Sequence, residues 1–173
     1  MSGHSKWHQI RRKKEIIDQK RGKLFTKLLK EVTVAARDEA KPEFNPRLKA
    51  AVERARQFNV PQENIERAIQ KTSETGNLEE IAVEAYGPGG AALIIEAISD
   101  NRNRTIQEIK AVLKEHGGRI AEPGATAWAF EKSGEGWRPK FKRGLESEDR
   151  EEARNLVLAL EGHDDVQKVY TNT

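Results

Sequence analysis

The spacing of apolar residues changes once along this chain, and the change constrains the fold more than any other feature. From Lys20 to the polar run Lys71-Thr72-Ser73-Glu74-Thr75-Gly76, apolar residues recur every three or four positions; beyond it, stretches that alternate or run together are mixed with helical ones. In the first part, Leu24, Phe25, Leu28, Leu29, Val32, Ala35 and Ala36 fall on one side of a helix expected from Lys20 onward. Asn45-Pro46 reads as an N-cap followed by proline at the first helical position. Leu48, Ala51, Val52, Ala55 and Phe58 then define a second helix, and Pro61 opens a third that carries Ile65, Ala68 and Ile69. In the second part, Ile81, Val83 and Ala85 alternate before Tyr86-Gly87-Pro88-Gly89-Gly90, and an apolar run from Ala91 to Ile98 follows. That pattern is two strands around a Pro-Gly turn. A helix capped near Asn103 or Thr105 carries Ile106, Ile109, Val112 and Leu113 and stops at Gly117-Gly118. Strands are expected at Thr126–Glu131 and Trp137–Phe141, then a helix from Ser147 with Ala153, Leu156, Val157 and Leu160 inward, and a last strand at Val166–Tyr170.

The fold class expected is therefore α+β, divided in two. A three-helix bundle occupies residues 23–76, and an α+β domain with a mixed or antiparallel sheet and two helices on one face occupies 77–173. Residues 1–22 show little apolar periodicity and are expected to form a flexible basic arm. Hydrophobic residues make up 36% and charged residues 34% of the 173, so both cores should be thin. No stretch approaches the length of apolar sequence that a membrane span needs, and Met1–Lys6 has no apolar segment of the secretory kind. With no cysteine, disulfide scaffolds, thiol catalysis and Cys-built zinc sites are excluded. A cytoplasmic protein is expected, with no membrane partner.

The formal charge of +3 conceals an asymmetry. Residues 1–30 hold ten basic side chains (Lys6, Arg11, Arg12, Lys13, Lys14, Lys20, Arg21, Lys23, Lys27 and Lys30) against Glu15 and Asp18, a net of +8. Residues 31–76 balance, and the remaining 97 carry 13 basic against 18 acidic groups, a net of −5. A basic head on an acidic body is the footprint of a chain that meets a polyanion at one end. Lys23, Lys27, Lys30 and Arg37 also share one helical face opposite the apolar stripe. A merely solvated face is the alternative.

Other motifs carry less. Gly87-Pro88-Gly89-Gly90 lacks the Lys-Ser/Thr of a phosphate loop and no helix follows it, so a tight hairpin turn is expected. His4 and His8 share a helical spacing but have no third ligand nearby, so no metal is expected. No nucleophile–base set, paired-carboxylate signature or cofactor fingerprint stands out. An enzyme is not expected, nor a cofactor or a small-molecule substrate. Asp100-Asn101-Arg102-Asn103-Arg104-Thr105 lies between a strand and a helix start; Arg102 and Arg104 there are either phosphate ligands or part of a polar cap. Trp7 among Lys6, His8 and Arg11-Arg12 either stacks on a base or tucks against the bundle. Trp137 also lies in basic sequence, which leaves Trp128 as the core tryptophan.

Those segments together resemble the YebC/PmpR family, which includes the mitochondrial translational activator of cytochrome oxidase. The resemblance rests on Ser2-Gly3-His4-Ser5-Lys6-Trp7, Lys20-Arg21-Gly22-Lys23-Leu24-Phe25-Thr26-Lys27-Leu28, Asn45-Pro46-Arg47-Leu48 and Pro61–Ile69. It continues through Tyr86–Gly90, Asp100–Thr105 and Asp164–Asn172. The family's fold implies a helical first domain, an α+β second domain and a ferredoxin-like third domain inserted into the second. Here residues 133–146 are too short for that insertion, so a two-domain short form is implied. Arg138, Lys140, Lys142 and Arg143 in that segment read as a basic hairpin, with a second basic contact as the alternative.

The resemblance implies a DNA-binding transcriptional regulator or, alternatively, a translation factor associated with ribosomal RNA and the ribosome. An adaptor that recruits a protein through its acidic domain is a further reading. In the nucleic-acid readings, Lys6, Trp7, Arg11, Arg12, Lys13 and Lys14 drape on phosphates with Lys20 and Arg21. Lys23, Lys27 and Lys30 then orient the contact, and Arg102 and Arg104 add one from the second domain.

Overall fold

The computed structural model describes residues 3–71, 77–134 and 136–173, with side chains from residue 11 onward. The chain separates into two compact units, Met1–Gly76 and Asn77–Thr173.

The first unit contains α1 (Gly3–Ala35), α2 (Pro46–Gln57) and α3 (Gln62–Gln70). Its core is the apolar stripe expected: Leu28, Val32, Ala35 and Ala36 of α1 pack against Leu48, Ala51, Val52 and Ala55 of α2 and Ile65 and Ala68 of α3. Asn45 joins the first two helices. Its side-chain oxygen caps α2 by accepting from the Leu48 N–H at 3.0 Å, while its amide donates to the carbonyls of Ala35 and Glu39 at 2.7 and 2.8 Å. One buried amide thus satisfies groups at the end of one helix and the start of the next.

Where a flexible arm was expected over 1–22, residues 3–22 are helical and continuous with the rest of α1. At about 1.5 Å per residue, the 33-residue helix is about 50 Å long. Residues 11–23 are exposed all round, and contact with the core starts at Leu24. The reading from periodicity missed this because periodicity reports on burial. The segment has no proline, is rich in Arg and Lys, and gains an Arg11–Glu15 pair at 3.0 Å one turn apart. Local propensity is enough for helical geometry without any face to bury.

The second unit has an antiparallel sheet of strand order β3-β1-β2-β6, formed by β3 (Arg119–Ile120), β1 (Glu79–Tyr86), β2 (Ala92–Ser99) and β6 (Val166–Thr171). β1 and β2 pair from Glu79↔Ser99 to Tyr86↔Ala92. α4 (Arg102–Glu115) and α5 (Ser147–Glu161) cover one face, where Ile109, Leu113, Leu156 and Leu160 meet Ile81, Val83, Leu93 and Ile95. A separate hairpin of β4 (Phe130–Ser133) and β5 (Gly136–Pro139) packs Phe130 and Trp137 against Ile94 and Tyr170 on the other face. β2 is consequently buried on both sides, which explains its unbroken apolar run.

The helix after β2 is capped by Asn101, whose side chain accepts from the Arg104 N–H at 3.0 Å, two positions before the earliest cap expected. The strand expected at Thr126–Glu131 begins only at Phe130; Ala127–Ala129 form a 3-10 turn instead. The cause is Glu84 on β1. Its carboxylate accepts from the backbone N–H groups of Gly124, Thr126 and Ala127 at 2.6, 2.7 and 2.8 Å and from the Thr126 hydroxyl at 3.0 Å. Those amides are held by a side chain and cannot join a ladder.

Candidate nucleic-acid interface

Of the ten basic residues expected at the head of the chain, nine have described side chains, and all nine lie on α1. The side chains of Lys6 and Trp7 lie outside the described residues. Arg11 pairs with Glu15. Arg21 sits over the Phe25 ring at 5.2 Å from its centroid, so its cation is displayed beside the first core contacts. Arg12, Lys13, Lys14 and Lys20 are exposed and form no hydrogen bond or ion pair with a described residue. Successive residues rotate by about 100° around a helix, which places Arg12, Lys20, Lys23, Lys27 and Lys30 along one face. Lys23 is exposed, and Lys27 and Lys30 are half-buried where the helix enters the bundle. Lys14 and Arg21 extend the line of the core stripe beyond the point where α2 and α3 stop covering it. The exposed part of α1 is therefore cationic around most of its circumference, with Ile16 and Ile17 as its exposed apolar groups.

The two arginines before α4 have different surroundings. Arg102 is exposed, with no hydrogen bond or ion pair to a described residue. Arg104 is also exposed but lies against carboxylates: its guanidinium is 2.9 Å from Asp165, 2.9 Å from Asp100 and 3.8 Å from Glu108. Hydrogen bonds to Asp165 and then Asp100 raise its pKa further above its already high value. Asp165 is nearly fully buried, so Arg104 supplies the charge that makes a buried carboxylate tolerable. The fully buried Thr105 hydroxyl lies 2.6 Å from both Asp165 and Ser99. A carboxylate only accepts, so the Thr105 proton goes to Asp165 and Ser99 supplies the other bond. The Asp100–Thr105 motif thus ties β2, α4 and the approach to β6 together, with the guanidinium of Arg104 engaged by carboxylates while its side chain stays 44% exposed.

Glu108, His163 and Asp165 bring three potential metal-ligating atoms within 4.8 Å of one another. Each already has a partner. His163 Nδ1 accepts from the Asp165 N–H at 3.1 Å, leaving its Nε2 to donate to Glu108 at 2.9 Å. Arg104 lies beside two of the three, 2.9 Å from Asp165 and 3.8 Å from Glu108.

The tryptophans exchange the roles expected of them. Trp137 is half-buried against the sheet and donates to Glu96 at 3.0 Å, with Lys132 at 5.2 Å from its ring centroid. Trp128, expected in the core, is 62% exposed. Periodicity placed it in a strand, and the capture of its preceding turn by Glu84 turned it outward.

Residues 5–75 match the family model described as the TACO1/YebC protein N-terminal domain, and residues 78–136 match that of the TACO1/YebC second and third domain. The chain belongs to the TACO1/YebC family. Among TACO1/YebC relatives, a protein of Pelotomaculum thermopropionicum is 42% identical over 238 residues, covering 99% of this chain and 98% of that one. One of Chloroherpeton thalassium is 52% identical over 138 residues, covering 78% of this chain but 55% of that protein. Both are named probable transcriptional regulatory proteins. The chain spans about half the length of several such relatives. The Pelotomaculum alignment is 238 residues long against a chain of 173, so that TACO1/YebC protein carries an insertion this one lacks. Here the described residues within 133–146 form the end of β4, β5 and a short segment leading to α5. The crystal structure of a conserved hypothetical protein from Aquifex aeolicus superposes with a TM-score of 0.83 at 32% identity, covering 90% of this chain and 91% of that one.

Proposed function

We propose that this short TACO1/YebC protein is a non-catalytic regulator of gene expression that binds nucleic acid through α1, with duplex DNA as the preferred polymer. The observation that carries the reading is the exposed, cationic helical stretch of residues 11–23. Phosphate contacts dominate nucleic-acid affinity, and Arg12, Lys13, Lys14 and Lys20 present charge that is not paired with any described residue. Shape then favours DNA over RNA. A B-form major groove, about 12 Å wide, admits an α-helix, whereas the major groove of A-form RNA is too deep and narrow for one. The names of the relatives accord with a transcriptional role, and we place that role in the cytoplasm. We read the insertion carried by the longer relatives as the family's third domain, whose loss leaves α1 as the principal contact.

The test is a binding comparison by fluorescence anisotropy with duplex DNA, duplex RNA and ribosomal RNA fragments. The expected order is duplex DNA first, with R12E/K13E/K20E binding at least about tenfold more weakly, since every cation taken from the backbone removes a favourable electrostatic term. Equal affinity of this variant and the parent would overturn the α1 assignment. Preference for ribosomal RNA would move the function to translation.

A further inference from the structure

Trp128 and Phe141 stand side by side on the second unit, 62% and 57% exposed, with ring centroids 5.8 Å apart and planes tilted by 42°. Large exposed aromatics held in place are uncommon enough to need a reason, and these two are held. The Trp128 indole N–H donates to the Ala125 carbonyl at 2.8 Å, which also accepts from the Tyr86 hydroxyl at 2.9 Å. The turn carrying Ala125 is fastened by Glu84. Phe141 is fastened from the other side. The Lys140 N–H donates to the Ala129 carbonyl at 2.8 Å, and the buried Asn172 amide donates to the Phe141 carbonyl at 3.2 Å. Asn172 in turn accepts from the Ala92 N–H at 2.9 Å, and its carbonyl accepts from the Arg143 N–H at 2.7 Å.

Beside the rings lies a hollow of about 500 Å3 lined by Tyr86, the Gly87–Gly90 turn, Gly117–Arg119 and Arg143. Arg119 lies 4.8 Å from the Tyr86 ring centroid, and Arg143 donates through Nε to the Gly89 carbonyl at 2.6 Å. Gly89 and Gly90 both have positive φ, 63° and 75°, and a Cβ on Gly90 would come within 3.2 Å of the Arg143 guanidinium. Glycine therefore lets the arginine lie against the turn. A smaller pocket of about 250 Å3 links the two features, lined by Tyr86, Gly90, Trp128, Phe141, Lys142 and Arg143 among others. Residues 138–143 hold Arg138, Lys140, Lys142 and Arg143 and no acid, although the unit as a whole is acidic.

Rigid exposed aromatics beside a cationic hollow are the parts of a single-strand binding surface: bases stack on rings while the backbone follows the positive charge. We propose that Trp128 and Phe141, with Arg119, Lys142 and Arg143, form a second nucleic-acid site that takes unpaired nucleotides, a base on the rings and its phosphate in the arginine-walled hollow. The site rests on the reading that the chain meets nucleic acid, and it differs from α1 in the form of polymer it takes. A duplex cannot use it, because paired bases present no free face.

The experiment titrates the full chain with short oligouridylate, oligothymidylate and duplex DNA while following the tryptophan indole N–H resonances and affinity. Single strands should shift the Trp128 resonance and leave that of half-buried Trp137 in place. W128A/F141A should weaken single-strand binding about tenfold, the scale of one to two bases no longer stacked, and leave duplex binding unchanged. Trp128→Leu alone, which keeps an apolar side chain there, guards against a folding effect and should lose the larger part of that affinity. A uridylate preference assigns RNA; equal affinity assigns any single strand, and both sustain the site. An unmoved Trp128 resonance, or single-strand affinity unchanged in the double variant, overturns it. So does a Trp128 shift on dilution without nucleic acid, which would mean a second copy covers the rings. If R12E/K13E/K20E abolishes duplex binding while Trp128 stays unmoved by single strands, this site falls and the α1 reading stands. A Trp128 shift in a protein that never binds duplex gives the converse.

Discussion

Glu84 illustrates how one side chain decides local structure. Partial burial pushes its pKa up, but the hydrogen bonds from Gly124, Thr126 and Ala127 outweigh that and hold it below its ordinary value of 4.5. A depressed carboxylate contributes stability that is present above the unfolded pKa and lost as the pH falls through the folded one. Glu84→Gln should therefore lower stability by about 2 kcal/mol at neutral pH, the scale for hydrogen bonds to a charged acceptor. The gap between variant and parent should close as the pH drops below about 4.5. Urea unfolding followed by tryptophan fluorescence, at neutral and acid pH, measures it. A gap that persists in acid would mean that the carboxylate's charge is not what fastens the turn. The residue was invisible in the sequence because its partners are backbone amides some forty positions away, and amides have no sequence signature.

At the scale of elements, what was legible followed from periodicity and caps. Leu48, Ala51, Val52 and Ala55 marked the buried face of α2, and Asn45-Pro46 marked its start, because burial and capping are local demands on residue type. α1 was half legible: Leu24 to Ala36 announced the packed part, while the exposed part has no buried face to announce it. Its helicity rests on propensity, so it responds to propensity alone. Gly22 lies at the junction, and a Cβ there meets nothing within 4 Å. Gly22→Ala should stabilise the helix by up to about 1 kcal/mol, read as slower hydrogen exchange at residues 11–22. Gly22→Pro should break it at that point with every charge retained. If the proposed DNA contact needs a helix, the alanine variant binds duplex at least as tightly as the parent and the proline variant binds less tightly. Equal binding by both would show that charge matters there and shape does not. Arg102 and Arg104 show the limit in the other direction. Two positions apart in sequence, they could not be told apart until the buried Asp165, 61 residues beyond Arg104, claimed one of them.

For the molecule as a whole, the net charge of +3 is the wrong quantity to carry into a binding argument. A body of that charge, spread evenly, would neutralise few phosphates and show a shallow dependence on salt. Here +8 lies within the first thirty residues and −5 lies beyond residue 76, so the proposed contact through α1 is governed by the local charge of the head, because screening confines such interactions to about 8–10 Å. If α1 neutralises about six phosphates, log affinity for duplex DNA should fall with log salt at a slope of roughly −4 to −5. Replacing Arg12, Lys13 and Lys20 with glutamine should flatten that slope by about 0.9 for each phosphate left without its cation. W128A/F141A removes no charge and should leave the duplex slope as it was. A slope near zero in the parent would mean that the basic head does not touch the backbone, and the protein-adaptor reading of the acidic unit would then account better for the separation of charge.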